Sequence, residues 1–578
     1  MAQRWIGICK NLTSDYDLIR HAALTTHKAG SSLSRDRSNQ TMNIYNYLAR
    51  WLTLLAAILI FPGVLHAEIK LASPFTSHMV LQREMKVPVW GTAEAGEKVT
   101  VEFAGQTISV AADQAGQWRV DLKSLKASAE GRTFTVTGSK TAQPIKLDDV
   151  VVGEVWLASG QSNMDFSMSK KVKYFAGVTD EEKEIAAANY PLIRMFTGKA
   201  AKAYAPQPGV EGAWQVCSPE TVPAFSAVGY FFARDLQREI KVPVGIVTLA
   251  FGASTAEAWI QREPMAADPQ LKPMLDRFDA AVEAFRTNLP PVVAPPRSED
   301  VAATNAISSR TNAAPGGRRR GGGPPRDPVQ DQHNATVLFN GMIHPVIPFA
   351  IRGVIWYQGE SIVGGDAGIA LYPRVQAAMI KNWRALWGEG DFPFYIVQLA
   401  GQEAASNSPR VREAQATVLT LPNTGMAVAT DIGEAKNVHP HNKQDVGDRL
   451  ARIALANVYD RKIEFSGPVY ESMKIEGHII RVKFSHADGL VAKDGVLKWF
   501  VVAGADMKFV PAEAKIDGNT VIVSSPDVTA PVAVRYAWVN FPDGGHLYNV
   551  AGLPAAPFRT DAPKLRTIDG LPDTLYSK

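Results

Sequence analysis

The sequence predicts an α/β protein in which a central domain with a parallel sheet is flanked by two smaller β-domains. Apolar, strand-like runs alternate with amphipathic, helix-like runs over 148–460, and this alternation is typical of a parallel sheet with helices on both faces. Short strand-like runs separated by turn residues occupy 68–147 and return over 461–578, as in β-sandwiches. A chain of 578 residues is also too long for one ordinary core.

The composition is that of a folded globular protein, with a hydrophobic fraction of 46% and a charged fraction of 20%. The formal net charge is only +4, and the basic residues are scattered along the chain. Neither feature suits a nucleic-acid-binding protein, so we expect no nucleic-acid partner.

An apolar run over 51–65 is typical of a secretory signal peptide, since it follows Arg50 and leads to Ala67. The run is shorter than the ~20 residues that a membrane span needs. We therefore expect cleavage after about Ala67 and no stable membrane span in the mature chain. The predicted location is the periplasm or the exterior of a bacterial cell.

A signal peptide normally stands at the beginning of a chain, yet 41 residues precede Met42 here. We therefore interpret Met42 as the true start, 42–67 as the signal peptide and 1–41 as an over-extended reading frame or a disordered leader.

The chain has two cysteines, of which Cys9 lies in this leader. Cys217 is then alone in the mature chain, so no intrachain disulfide can form. This pattern fits a protein exported to a bacterial periplasm or beyond better than it fits a disulfide-stapled eukaryotic secreted module. We expect Cys217 to be a packed core thiol.

The first β-domain is predicted over 68–147 because short alternating runs are separated by glycine-containing turns. Its strands are predicted at 87–91, 98–103, 107–110, 117–121 and 133–136. Trp90 and Trp118 could bind carbohydrate, but core packing is the more common role of tryptophan in a small sandwich.

The central domain is predicted over 148–460, and its functional groups are expected where the parallel strands end, because chemistry collects at the carboxyl ends of strands in such folds. The predicted strands are 150–157, 244–250, 353–357, 394–398 and 426–430, and the predicted helices are 226–239, 372–387, 410–419 and 443–459.

Residues suited to acyl transfer follow four of these strands. Ser162 lies in a tight turn of small and polar residues directly after the first strand. Such a turn lifts a serine hydroxyl clear of the sheet and aims the following N–H groups at an oxyanion beside it. A lone serine in a polar loop would carry no argument, but here a glycine turn, amide groups and a histidine follow the other strands. These candidates are Gly252, Gln358 with Glu360, and Asp431 with His439.

A segment rich in Pro, Ala, Asn, Arg and Gly interrupts the central domain over 286–332. It cannot bury enough apolar surface to fold, so we predict a disordered insertion with a solvated basic run. Strand-like runs return in the second β-domain, predicted over 461–578 as a sandwich or a jelly roll. They cover 480–484, 499–503, 520–524 and 533–537.

Three short motifs occur in order along the chain: Gly160-Gln161-Ser162-Asn163-Met164, Trp356-Tyr357-Gln358-Gly359-Glu360-Ser361 and Val438-His439-Pro440. Further landmarks lie at 79–82, 87–91, 256–259, 339–342 and 443–450. Together they resemble the sialate O-acetylesterase-like family of SGNH hydrolases, and the likeness runs through most of the mature chain. The resemblance implies a flavodoxin-like, three-layer SGNH-hydrolase domain, no metal and no cofactor, and removal of acetyl groups from sugars.

The resemblance also implies roles for individual residues. Ser162 would be the nucleophile and His439 the general base. The N–H groups of Ser162 and Gly252 and the side-chain amide of Gln358 would stabilise the oxyanion.

Three other residues are further candidates. Gln161 and Asn163, on either side of Ser162, are candidates for oxyanion or substrate binding. His344 is a second candidate base, but it precedes a strand instead of following one.

The sequence departs from the family pattern at two positions. Ala253 stands where a second glycine is expected, and Asn437 stands where an acidic residue often precedes the histidine. An asparagine can hold a ring N–H but does not stabilise an imidazolium as a carboxylate does. Asp431 and Glu360 are the candidates for the third triad member. We prefer Asp431, whose loop leads directly to His439, and give Glu360 a structural or substrate-orienting role.

The sequence thus predicts an exported carbohydrate O-acetylesterase that forms an acetyl-enzyme on a serine. Its acetylated glycan could be sialic acid or a plant hemicellulose such as xylan or xyloglucan. The alternative is a non-catalytic carbohydrate-binding protein on an esterase scaffold, for which Ala253 and Asn437 are the only support. A serine amidase or peptidase is a third hypothesis.

Overall fold

The computed structural model describes residues 68–141, 143–287, 326–362, 365–405 and 407–561. The predicted leader, the predicted signal peptide and residues 288–325 of the predicted insertion lie outside the described residues. The rest of that insertion differs from the expectation of disorder. Helix α4 continues to Thr287, and Pro328–Gln330 form a 3₁₀ turn that the Asp327 side chain caps.

The N-terminal β-domain consists of two small sheets that share a core. Strands β1, β3 and β6 form an antiparallel sheet, while β4 pairs with β5 and β7. Trp118 is buried, and Trp90 packs edge-on against Phe75 with 5.0 Å between ring centroids, so both tryptophans contribute to packing. The strands are β1 (Lys70–Leu71), β2 (Val80–Gln82), β3 (Val87–Thr92), β4 (Lys98–Phe103), β5 (Gln106–Ala111), β6 (Gln117–Leu122) and β7 (Ser128–Gly138).

One long strand, β8 (Ile145–Gly160), belongs to both the N-terminal domain and the central domain. Its first half pairs with β2 and β7, and its second half pairs with two strands of the central sheet. The boundary expected at residue 148 therefore falls inside a strand. The reason is the uninterrupted burial from Val150 to Gly160, which leaves no break where one domain could end.

The central sheet has the order β10-β9-β11-β8-β12-β13-β14, in which all neighbours except β10 and β9 are parallel. The carboxyl ends of β8, β11, β12 and β14 thus lie along one edge of the sheet. This is the edge at which the sequence places the candidate functional groups. All five predicted strands exist, and two more were not predicted. The strands are β9 (Tyr190–Thr197), β10 (Trp214–Cys217), β11 (Val244–Ala250), β12 (Gly353–Tyr357), β13 (Phe394–Val397) and β14 (Thr424–Ala427).

Helix α2 packs against helix α7, and both contact the central sheet. The two helices approach closely at Gly447, where a Cβ atom would lie 2.4 Å from Cβ of Phe231. Helices α1, α3 and α4 were not predicted. The α-helices are α1 (Glu181–Ala186), α2 (Ala227–Ile240), α3 (Arg262–Ala267), α4 (Lys272–Thr287), α5 (Gly365–Trp387), α6 (Ser408–Ala416) and α7 (Lys443–Asn457).

The C-terminal β-domain has its own apolar core, which includes Ile480, Val521 and Val534. Its two four-stranded antiparallel sheets have the orders β15-β16-β21-β20 and β19-β18-β22-β24, and β17 pairs with β23. The strands are β15 (Val469–Glu476), β16 (Ile479–Ser485), β17 (Val491–Ala492), β18 (Phe500–Ala503), β19 (Val510–Pro511), β20 (Glu513–Asp517), β21 (Thr520–Ser524), β22 (Ala533–Tyr536), β23 (Leu547–Tyr548) and β24 (Phe558–Arg559).

The chain is therefore a mixed α/β protein with several sheets, as the sequence predicts. Within the described ranges, no helix has the length and apolar character needed to cross a membrane. Cys217 is a buried free thiol whose pKa is raised to about 12 by burial, in keeping with a packing role.

Candidate active site

The turn after β8 requires a glycine at its first position. Gly160 has φ +139°, and a Cβ atom there would lie 2.2 Å from the Tyr357 carbonyl oxygen. Gln161 N–H donates to that same carbonyl at 2.9 Å, so the turn is held against the end of β12. The N–H groups of Met164 and Asp165 donate back to the Gln161 carbonyl at 2.8 and 2.9 Å. This turn presents Ser162 at the carboxyl edge of the sheet.

Ser162 and His439 are in hydrogen-bond contact, with 2.8 Å between Oγ and Nε2. His439 lies in the loop between β14 and α7, and its ring packs on Phe175 at 4.8 Å between centroids and 35° between planes. His344, the other candidate base, is exposed and its Nδ1 lies 3.1 Å from the Gln207 carbonyl oxygen. The structure therefore brings Ser162 together with His439, whereas His344 contacts a different loop.

The surroundings of His439 favour its neutral form. Burial, together with the positive charges of Lys443 and His441, lowers the pKa of its imidazole to about 4. A general base must be unprotonated to accept a proton, so this environment would suit a base near neutral pH.

Two backbone N–H groups lie where the turn after β8 meets the end of β11. Phe251 N–H donates to Gly160 O at 3.0 Å, which brings the end of β11 to the nucleophile turn. A Cβ atom at Gly252 would lie 3.8 Å from Cβ of Ser162, so Gly252 is adjacent to the serine. The N–H groups of Ser162 and Gly252 donate to no acceptor in the part of the chain that the structure describes.

The Gln358 side chain is buried and held in one orientation. Tyr372 Oη donates to its Oε1 at 2.7 Å, and its Nε2 donates to the Ser254 carbonyl at 3.2 Å. An amide nitrogen carries two N–H groups, so Nε2 keeps a second donor. Gln358 directly follows Tyr357, which pairs with Gly160 in the sheet.

The side chains of Gln161 and Asn163 form hydrogen bonds to other loops of the site. Gln161 Oε1 accepts the N–H groups of Gly359 and Ser361 at 3.3 and 3.4 Å. Asn163 Nδ2 donates to the Glu360 carboxylate and, at 3.0 Å, to the Val438 carbonyl. Both side chains are almost fully buried, with relative exposures of 2% and 1%.

Asp431, the preferred third triad member, forms its hydrogen bonds elsewhere. Its two oxygens accept from Nη1 and Nη2 of Arg449, each at 2.7 Å. Tyr548 of the C-terminal β-domain also donates to Oδ2 at 3.1 Å. The structure thus places Asp431 in a buried ion pair and gives it no hydrogen bond to His439. The reason is that β14 ends at Ala427, so Asp431 lies in a 3₁₀ turn facing α7.

Glu360, the other carboxylate candidate, also has no hydrogen bond to the imidazole. Its Oε1 accepts from Asn163, while Oε2 is buried and has no hydrogen-bond partner among the described residues. Burial raises the pKa of this carboxyl group, against the opposing effects of Asn163 and Lys443. Glu360 therefore ties the loop after β12 to the nucleophile turn.

The two family departures have clear local roles. Ala253 has φ +54°, in the left-handed region that glycine adopts without strain. Asn437 accepts His439 N–H at 2.9 Å and donates to the His439 carbonyl at 2.8 Å, so it fixes the backbone of the histidine and not its ring.

Sequence reasoning missed several residues that support the site, chiefly Tyr372 and Lys443. Lys443 is fully buried, and its Nζ donates to Asn163 Oδ1 at 2.6 Å and to the Pro440 carbonyl at 2.7 Å. One signal was available in its position: a lysine at the first residue of a helix is unfavourable to the helix dipole. Tyr372 offered no such signal, because a tyrosine on an amphipathic helix usually packs in a core.

A cavity of about 210 Å³ adjoins the site and is lined in part by Asn163, Glu360 and Val438. The described residues contain no group of three or more His, Cys, Asp or Glu side chains that could hold a metal ion.

Comparison with known proteins points to one family. Residues 333–456 match the family model described as "Carbohydrate esterase, sialic acid-specific acetylesterase". The chain is similar to the sialate O-acetylesterase of Rattus norvegicus, with 28% identity over 85% of this chain and 94% of the relative. The similarity to the Homo sapiens sialate O-acetylesterase is 26% identity over 86% of this chain and 95% of the relative.

A solved structure is similar over most of the chain. The crystal structure of a carbohydrate acetylesterase from Xanthomonas citri matches with a TM-score of 0.70 and 34% identity. The match covers 86% of this chain and 100% of that one.

Proposed function

Because this chain belongs to the sialate O-acetylesterase family of carboxylic-ester hydrolases, we propose that it removes O-acetyl groups from sugars through an acetyl-enzyme on Ser162. Ser162 Oγ attacks the acetyl carbonyl carbon while Nε2 of His439 accepts the hydroxyl proton. The negative charge on the carbonyl oxygen is stabilised by the N–H groups of Ser162 and Gly252 and by Nε2 of Gln358. The bond to the sugar oxygen then breaks, and His439 returns the proton to that oxygen.

Water completes the cycle. His439 accepts a proton from the water molecule as its oxygen attacks the acetyl carbon of acetyl-Ser162. The same donors stabilise the second oxyanion. Acetate leaves, and the proton on His439 returns to Ser162 Oγ, so the resting enzyme is restored.

The observation that carries this proposal is the 2.8 Å contact between Ser162 Oγ and His439 Nε2 beside unoccupied backbone donors. A nucleophile within hydrogen-bond reach of a base is the arrangement that activates serine in acyl transfer. The depressed pKa of His439 supports the same assignment, because the imidazole is then neutral at physiological pH.

We assign the central domain to the SGNH type, with the flanking β-domains as sandwich-like modules. Support comes from the order of the site along the chain: Ser162 after β8, Gly252 after β11, Gln358 after β12 and His439 after β14. These strands are neighbours in one sheet, with β13 between the last two.

We expect the substrate to be an acetylated glycan, either O-acetylated sialic acid or acetylated xylan or xyloglucan. The acetyl group is small, so the sugar must be recognised by loops around the site. An exported enzyme would meet such glycans outside the cytoplasm. Mass spectrometry of the secreted and periplasmic protein tests this location, since an N-terminus retaining residues 42–67 would contradict it.

The decisive experiment measures acetate release by the chain from Glu68 onward. The substrates are 4-nitrophenyl acetate, acetylated xylan, acetylated xyloglucan and O-acetylated sialic acid, and the variants are Ser162→Ala and the exposed control Ser472→Ala. We expect activity that Ser162→Ala abolishes and Ser472→Ala leaves intact. Binding of acetylated glycan by folded protein without acetate release would instead favour a non-catalytic binding protein. Preferred turnover of amides would favour an amidase.

A further inference from the structure

We propose that Lys443 is a positioning residue of the esterase site, whose ammonium group holds the backbone beside His439 and thereby aims the imidazole at Ser162. The inference rests on the proposed function, because it concerns the two residues that would carry out ester hydrolysis.

The need for such a residue follows from the other side of the imidazole. Among the described residues, no side-chain oxygen accepts a hydrogen bond from Nδ1 of His439, although a triad carboxylate would normally do so. The nearby carboxylates have other partners: Asp431 pairs with Arg449, Glu434 with His441, and Glu360 with Asn163. The orientation of the ring must therefore be set by packing and by the backbone on either side.

Two side chains hold the carbonyl groups that flank His439. Asn163 Nδ2 donates to the Val438 carbonyl at 3.0 Å, and Lys443 Nζ donates to the Pro440 carbonyl at 2.7 Å. Lys443 Nζ also donates to Asn163 Oδ1 at 2.6 Å, so the two side chains form one unit. Asn163 directly follows the nucleophile. The unit thus connects the turn that carries Ser162 to both sides of the base.

The burial of Lys443 is costly, which argues against an incidental role. Its exposure is 0%, and burial lowers the pKa of its ammonium group to about 7. An isolated buried charge strongly destabilises a protein unless hydrogen bonds and counter-charges offset the cost. Helix α7 does not need this lysine to begin, because Asn442 Oδ1 already caps it by accepting Asp445 N–H at 3.1 Å.

The surroundings of Lys443 stabilise an ammonium group at this position. The cation lies over the Phe166 ring at 4.4 Å and near the Tyr357 ring at 5.5 Å. The carboxylates of Glu360, from the loop after β12, and Glu434, from the loop before α7, raise its pKa against the effect of burial.

The charge of Lys443 has a second, measurable effect. Together with His441 it disfavours protonation of His439, because two positive charges repel. Removal of the lysine charge should therefore raise the pKa of His439. The acidic limb of the pH profile of kcat/KM, which reports the base of the free enzyme, should move to higher pH.

The test compares Lys443→Met, which removes the donor and the charge, with Lys443→Gln, which keeps a donor but not the charge. Lys173→Met is the matched control, since Lys173 Nζ also donates to a backbone carbonyl, that of Asp165, at 2.8 Å. With 4-nitrophenyl acetate, we expect kcat of Lys443→Met to fall on the order of 10²-fold, the usual effect of a misplacement of about 1 Å, with a small change in KM. Lys443→Gln should retain more activity, and Lys173→Met should stay within about threefold of the parent enzyme.

Both Lys443 variants should also move the acidic limb upward. Folded Lys443→Met with kcat within about threefold of the parent enzyme, or with an unmoved limb, overturns the proposal. If Lys443→Met does not fold, an unmoved acidic limb in Lys443→Gln overturns the proposal, because that variant keeps a donor but loses the charge. The Ser162→Ala variant, measured in parallel, separates the two hypotheses. If Ser162→Ala remains active, the proposed function is refuted. If Ser162→Ala is inactive while Lys443→Met is fully active, only the role of Lys443 is refuted.

Discussion

The substitution Asp431→Asn distinguishes a triad carboxylate from a structural one. Asp431 and Arg449 are both buried, with side-chain exposures of 3% and 7%, and they are joined by two hydrogen bonds of 2.7 Å. Removal of one partner from a buried ion pair leaves the other charge uncompensated and typically costs about 3–5 kcal/mol. Asparagine keeps the shape and one acceptor, so we expect a loss near the lower end of this range.

The expected effect on catalysis is small for the same reason. The carboxylate touches Arg449 and Tyr548 and not the imidazole, so kcat should stay within about tenfold of the parent enzyme. A triad carboxylate would instead lower kcat by about 10⁴-fold, equivalent to about 5.5 kcal/mol in the activation free energy. A structural role for Asp431 therefore predicts a large loss of stability with a small change in kcat. A triad role predicts a large loss of kcat with a small change in stability.

Two measurements on one protein decide between them: kcat with 4-nitrophenyl acetate, and the midpoint of urea unfolding followed by tryptophan fluorescence. Asp445→Asn is the matched control, because Asp445 approaches the same arginine at 3.7 Å but is half exposed. We expect Asp445→Asn to change the free energy of unfolding by less than about 1 kcal/mol. A fall in kcat of about 10³-fold or more in Asp431→Asn, with an unchanged urea midpoint, would refute this reasoning.

Further predictions follow from the site. The acidic limb of the pH profile of kcat/KM of the parent enzyme should lie near pH 4, because the pKa of His439 is lowered to about 4. At pH 5.5 about 97% of the imidazole is then neutral, against about 9% for an ordinary histidine. An acidic limb above pH 6 would contradict this prediction. Gly160→Ala should lower the urea midpoint and kcat strongly, by about 3 kcal/mol or more in stability, because its Cβ would meet Tyr357 O at 2.2 Å. Tyr372→Phe should lower kcat about tenfold with unchanged KM, because Oε1 of Gln358 loses its donor; a raised KM with unchanged kcat would instead point to substrate binding. Ala253→Gly should leave the melting temperature nearly unchanged, because the relief of backbone strain at φ +54° offsets the added conformational entropy of the unfolded chain. A loss of about 1 kcal/mol in the free energy of unfolding would show that the alanine is not strained.

The parallel sheet was predictable because its strands carry continuous apolar runs. The strands β11 and β12 have the predicted bounds, since glycine and turn residues delimit both runs. The strands β9 and β10, at one side of the sheet, were missed. Tyr190–Thr197 contains Pro191 and Arg194, which interrupt the apolar pattern, and Arg194 is buried against the carbonyls of His78 and Asp149. That pairing depends on residues distant in sequence, so no local pattern reports it.

The shared strand β8 shows a second limit of local reasoning. The apolar run over 150–157 gave the strand, but its first residues alternate between partly buried and exposed, as in a separate β-domain. The change of partners within one strand is decided by β2 and β7, which lie earlier in the chain. The sequence contains no turn between the two halves of β8, and this continuity was the available signal that one strand serves both domains.

The strand ends that meet at the candidate site were predictable, whereas the side-chain contacts around them were not. Ser162, Gly252, Gln358 and His439 each follow a strand in a sheet whose order brings the ends together. The supporting contacts depend on side-chain direction, which strand order does not determine. Asp431 illustrates this, because a shift of three residues in the end of β14 turns its carboxylate toward Arg449.

In the proposed reaction, the low pKa of His439 would affect proton acceptance from Ser162 and proton donation to the sugar oxygen in opposite ways. A low pKa makes imidazole a weaker base for Ser162 but makes the imidazolium a stronger acid toward the departing sugar oxygen. A sugar alkoxide is a poor leaving group and needs that proton, whereas 4-nitrophenolate does not. The low pKa therefore weakens proton acceptance and strengthens proton donation. On this argument, substitutions that raise the pKa of His439 should impair the hydrolysis of acetylated sugars more than that of 4-nitrophenyl acetate, and the ratio of the two rates reports on the proton-donating role of the histidine.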